Sequence, residues 1–143
     1  MTGTNLERVE RLIGQLLQVI PLPELSEAVI FGSAAVTLNG TQLTRMVDYL
    51  DLFVSAEGYE RLRSRGTEVE KTSTLHCLMV PALEVEVWAS FPGVDYPGVL
   101  SRARVLSNSR GLLVAVQQDI EACKRAQNRA KDRADLGDMG LAP

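Results

Sequence analysis

Between Val47 and Ser55 the chain reads VDYLDLFVS, a run of β-branched, aromatic and leucine side chains that carries acids at positions 48 and 51. Such a run predicts a strand, and it is one of several. Ala28 to Phe31 predicts a short buried strand, broken by Gly32-Ser33. Thr67 to Lys71 and Thr74 to Val80 predict two more. Leu83 to Trp88, LEVEVW, alternates apolar and acidic residues. That period of two puts Glu84 and Glu86 on one face and Val85 and Val87 on the other. Arg104 to Leu106 and Leu112 to Val116 flank the turn-rich stretch 107–111 and predict a hairpin.

Helical periodicity appears between and around these strands. In residues 5–19, Leu6, Val9, Leu12, Ile13, Leu16 and Leu17 recur at steps of three and four, so they share a face. Thr4 with Glu7 fits a capping box, and Pro21 and Pro23 end the helix. Ala34 to Leu38 predicts the first turns of a helix, stopped at Asn39-Gly40. Gly58 to Arg65 predicts a helix closed by Gly66, and 99–103 a helical turn after a loop over 92–97. Residues 117–127 and 130–138 predict two helices, and Gly140 to Pro143 a fraying tail. With 143 residues and no internal repeat or linker, the expectation is one α/β domain. It has an N-terminal helix over 5–19, a strand-rich core over 25–116 and C-terminal helices over 117–138.

The side-chain inventory narrows the chemistry. His76 is the only histidine, and Cys77 and Cys123 are the only cysteines. A zinc site needs four such ligands at short spacing, and a disulfide scaffold needs more cysteines. Two isolated cysteines fit a reducing cytoplasm as buried apolar residues. His76, in an apolar strand, reads as structural. The N-terminus lacks the basic and apolar regions of a signal peptide. No apolar stretch approaches the roughly 18–20 residues of a membrane span. The 18 acids outnumber the 15 Lys and Arg, so carboxylate oxygen is the abundant ligand, suited to Mg²⁺ and phosphate chemistry. The acidic balance disfavours generic duplex binding. Basic charge does concentrate in Lys124, Arg125, Arg129, Lys131 and Arg133, with Asp132 as the one acid among them.

Gly32-Ser33 follows a buried strand at the mouth of a helix. Glycine there lets an anion approach the backbone, and Ser33 adds a hydroxyl donor. Carboxylates on neighbouring strands can hold Mg²⁺ against a phosphate so placed. The run FGSAAVTLNGTQLTRMVDYLDLFVS resembles the signature of the minimal nucleotidyltransferases of the polymerase-β-like superfamily. That signature is an apolar strand, Gly-Gly or Gly-Ser, a spacer, Asp-x-Asp in a strand, and a third acid in a later strand. The C-terminal run LLVAVQQDIEACKRAQNRAKDRADL is similar to the close of the abortive-infection and toxin–antitoxin branch. Together the two stretches bring residues 25–137 under the resemblance.

The resemblance implies a mixed twisted sheet flanked by helices, and transfer of a nucleoside monophosphate from a nucleoside triphosphate to a hydroxyl of a protein, an RNA or a small molecule. It implies that Asp51 and Glu86, with Asp48, hold Mg²⁺, with Glu84 as another place for the third acid. It implies that Gly32 and Ser33 cradle the β,γ-phosphates and that Lys124 and Arg129 bind the nucleotide. One position departs from the pattern. With Asp51 as the second metal acid, the first falls on Tyr49. Asp48 is one residue off, and in a strand it would face away from Asp51 unless a bulge shifted the register. A tyrosine, with a pKa of about 10, does not replace a carboxylate toward a hard metal near neutral pH. The alternative is a degenerate module that binds a nucleotide or a partner protein. A chain this short has little room for a separate acceptor-binding domain, so a partner or a second copy of the chain is expected. Trp88 is open to two uses, stacking on a base or filling the core. Lys131 and Asp135 are spaced for an i,i+4 pair.

Overall fold

The computed structural model describes residues 4–142. Thr4 and Glu7 form the reciprocal cap the sequence predicts, and helix α1 runs Asn5–Val19. It buries Val9, Leu12, Ile13 and Leu16, each worth roughly 1.5–3 kcal/mol when removed from water. Leu6, at the end of the same face, is left exposed. No helix among the described residues is long and apolar enough to cross a membrane.

The described residues form a mixed α/β domain with a seven-stranded mixed sheet. In chain order come β1 (Val29–Phe31), α2 (Gly32–Leu38), β2 (Leu50–Phe53), α3 (Ala56–Leu62), β3 (Thr67–Glu70), β4 (His76–Val80) and β5 (Val85–Trp88). Then follow α4 (Tyr96–Arg102), β6 (Arg104–Val105), β7 (Leu113–Val114), α5 (Gln117–Gln127) and α6 (Ala130–Asp138). The spatial order is β3-β4-β5-β2-β1-β7-β6. β1 lies antiparallel to β2 and parallel to β7, and β2 lies parallel to β5. β1 is buried along its whole length, as a strand covered on both faces requires. Phe31, Phe53 and Phe91 pack together with ring centroids 4.6–5.4 Å apart.

Most strands are shorter than expected and α2 begins at Gly32; four changes have a visible cause. The strand expected over 47–55 is confined to Leu50–Phe53. Residues before it are held from outside the sheet. The Asn5 side chain donates to the Arg45 carbonyl at 2.8 Å and accepts from the Val47 amide at 2.9 Å, and Arg8 donates to the Val47 and Asp48 carbonyls. A backbone committed to α1 in this way cannot also pair in a ladder. The alternating strand expected over 83–88 begins at Val85. Pro81–Leu83 form a 3-10 turn that Glu84 ends in the left-handed region, with φ 55°. Glu84 therefore leaves the face of Glu86 and pairs with Arg8 at 2.6 Å. The helical turn expected at 99–103 starts at Tyr96, because Asp95 caps it through the Gly98 amide at 2.8 Å. The helix expected over 58–65 is α3 followed by a 3-10 turn. Both cysteines are buried and free, whereas His76 is exposed beside Glu68. Of the expected tail, Pro143 lies outside the described residues.

Candidate functional site

Strand pairing assembles the site. Phe31, the last residue of β1, lies opposite Asp51, and Asp51 lies opposite Glu86 on the parallel neighbour β5. Facing positions on adjacent strands share a side of the pleat, so the two carboxyl groups stand together. Gly32 closes the arrangement from the third side. Its φ is +62°, and a Cβ placed there would lie 2.7 Å from Asp51 Oδ2. Both the left-handed backbone and the contact demand glycine. Gly32→Ala is therefore expected to cost about 1–3 kcal/mol and to displace Asp51. Chemical denaturation reads the loss, and a neutral substitution would show that the turn relaxes freely.

Asp51 is pushed from an ordinary 3.8 up to about 7. Burial is the largest cause and the Glu86 charge the second, while a hydrogen bond from Trp88 and the charge of Lys131 oppose them. The Trp88 indole Nε1 donates to Asp51 Oδ1 at 3.3 Å. Its ring is buried and packs on Phe91 with centroids 4.9 Å apart. It belongs to the core and also lines the cleft beside Asp51 and Glu86, with a polar contact to Asp51 that the sequence did not foreshadow. Glu86 carries a second partner, the Lys71 ammonium, 2.8 Å from its Oε2.

The pair opens into a cleft of about 1040 Å³. Gly32, Ser33, Asp48 and Tyr49 line it beside Asp51 and Glu86, and Lys124, Arg129 and Lys131 line the helical wall. The predicted site residues thus meet in one place. Asp48 and Tyr49 precede β2, so strand alternation does not decide which of them faces Asp51. Among the described residues, no three histidine, cysteine or acidic side chains come together to hold a metal ion.

The basic cluster divides. Lys124 is buried and pairs with Asp135 at 2.7 Å and Asp132 at 3.8 Å. Arg129 pairs with Asp132 at 2.7 Å. The expected Lys131–Asp135 pair does not form, because Asp135 turns inward to Lys124 and to a bidentate contact from Arg45 at 2.9 and 2.6 Å. Arg45 also donates to Ser33 Oγ. Lys131 is left without an ion-pair partner among the described residues. Burial, with Arg129 and Arg45 nearby, lowers the pKa of its amine. Arg45 and Lys71 are the site residues that sequence reasoning missed. Each stands in a polar loop or at a strand end with no spacing signal to mark it.

The chain matches no protein-family model, no curated protein and no solved structure.

Proposed function

We propose that this cleft is the nucleoside triphosphate site of a nucleotidyltransferase-like protein, which transfers a nucleoside monophosphate to a hydroxyl group. The observation that carries the reading is the meeting of Asp51, Glu86 and the Gly32–Ser33 turn at one wall of the cleft. The donor set fits one divalent cation. Two carboxylates stand side by side, and burial beside the Glu86 charge drives Asp51 toward protonation even with Lys71 on Glu86. It does not fit two resident cations, since no third histidine, cysteine or acid joins the two carboxylates among the described residues. A Mg²⁺ brought by the nucleotide would neutralise the pair and polarise a phosphoryl oxygen.

The chain's own groups supply the rest. Ser33 Oγ accepts from Arg45, which leaves its proton free to donate to a phosphate oxygen. Lys131, a cleft cation without an ion-pair partner among the described residues, attracts the triphosphate. Lys124 and Arg129 act at one remove, by fixing Asp135 and Asp132 beneath that wall. The acceptor hydroxyl belongs to a partner protein, an RNA or a small molecule, in the setting of a toxin–antitoxin or abortive-infection system.

A second reading, a module that binds nucleotide or partner without transfer, rests on the resemblance, which aligns Tyr49 with a metal acid. Calorimetric titration with ATP and GTP, with and without Mg²⁺, separates the two when combined with a label-transfer assay. Mg²⁺-dependent binding that Asp51→Ala abolishes supports the enzyme. Binding indifferent to Asp51, without transfer, supports the module. The absence of any nucleotide binding defeats the enzyme and leaves the module only as a partner binder. Tyr49→Asp, which supplies the missing acid, is expected to raise transfer about tenfold or more, on the scale of one added transition-state contact.

A further inference from the structure

We propose that Lys71 occupies the cation position of the Asp51–Glu86 pair, so that a divalent cation enters only by displacing it. The inference rests on reading that pair as a cation site. Lys71 Nζ lies 2.8 Å from Glu86 Oε2, and the Glu86 side chain is only 13% exposed. A carboxylate so enclosed holds its counter-charge more firmly than a surface ion pair would. Ammonium and metal compete for the same oxygen, and two cations that close repel each other strongly away from bulk water.

The surroundings allow the side chain to leave while its backbone stays. Lys71 is the first residue after β3, in the turn that leads to β4. Its amide and that of Thr72 both donate to the Leu75 carbonyl, at 2.8 and 3.0 Å. Thr72 Oγ1 accepts from the Leu75 amide at 3.0 Å. The turn is therefore fixed by its own hydrogen bonds, and the lysine stem, 36% exposed, is the part free to swing. A triphosphate in the cleft offers the released ammonium an anionic partner of equal strength. Metal alone offers it none. Nucleotide and metal accordingly load together, and metal alone binds weakly.

The test is a titration with Mn²⁺ alone, read by the paramagnetic signal of the free ion, on the full chain and its variants. Lys71→Gln is expected to tighten Mn²⁺ binding about tenfold or more. Lys71→Arg keeps the plug and stays near wild type. Adding Asp51→Asn to Lys71→Gln removes the gain, which locates the ion. The proposal fails if Lys71→Gln binds Mn²⁺ no tighter than wild type, or if the gain survives Asp51→Asn. ATP titrations on the same samples keep the two readings apart. Tighter Mn²⁺ binding without ATP binding retains the plug and rejects the nucleotide site. ATP binding with unchanged Mn²⁺ affinity does the reverse.

Discussion

Asp51→Asn is expected to stabilise the protein above pH 7 while removing metal-dependent nucleotide binding. Burial and the neighbouring Glu86 raise the Asp51 carboxyl to about 7, so the folded chain keeps a proton that the unfolded chain releases. Stability from this group is complete below about pH 4 and is lost as pH rises through about 7. Asparagine has no proton to lose and keeps an oxygen for the Trp88 indole. The difference between variant and wild type should be near zero at about pH 4, grow with pH, and level off above about 7. The rise from 3.8 to about 7 sets its ceiling on the order of 4 kcal/mol, or roughly 8 °C or more in Tm. Thermal melts across the pH range check this. A Tm difference that does not vary with pH, or a variant less stable at high pH, would refute the account. Stability gained as function is lost is the expected signature of like charges held together for a ligand.

Asp135→Ala is expected to destabilise by about 3–5 kcal/mol. Asp135 is fully buried and neutralises two cations, Arg45 through both oxygens and Lys124 at 2.7 Å. Its removal leaves the buried Lys124 with Asp132 at 3.8 Å, and leaves Arg45 with no carboxylate to hold it against Ser33. Burial by itself would raise the Asp135 carboxyl, but hydrogen bonds from Arg45 and Lys124 outweigh it and hold the group below the usual carboxylate range. That stability is present above about pH 4 and is lost as pH falls through the lowered value. Urea unfolding near neutral pH should show the full cost, and the gap between wild type and variant should narrow under strong acid. Asp135→Asn keeps the shape and removes the charge, so it isolates the electrostatic part. A cost under about 1 kcal/mol for either variant would mean that the cations find other partners or water.

These two acids differ in how far the sequence reveals them. Asp51 stands in a strand-like run after a glycine-serine turn, and both features are local. Asp135 stands in a helix of charged residues and reads as solvated. Its burial arises because α5 and α6 pack together and direct Lys124 and Asp135 toward each other. The boundaries of β2 and β5 differ from the expectation for a related reason. Apolar alternation extends through Asp48 and Glu84, but Asn5 and Arg8, distant in sequence, hold the first segment out of the ladder, and a prolyl 3-10 turn takes Glu84.

The sequence by itself determined the terminal helices, because caps and 3.6-residue periodicity act within one or two turns. It also determined the hairpin of β6 and β7. Only the tertiary structure decided that β2 lies antiparallel to β1 and parallel to β5, which sets Asp51 between Gly32 and Glu86. It alone decided that Lys71 rather than a third acid meets Glu86, and that Lys124 is paired while Lys131 has no ion-pair partner among the described residues. Strand order and long-range charge pairing depend on which apolar faces are buried against each other across the whole chain, and no local spacing encodes that choice.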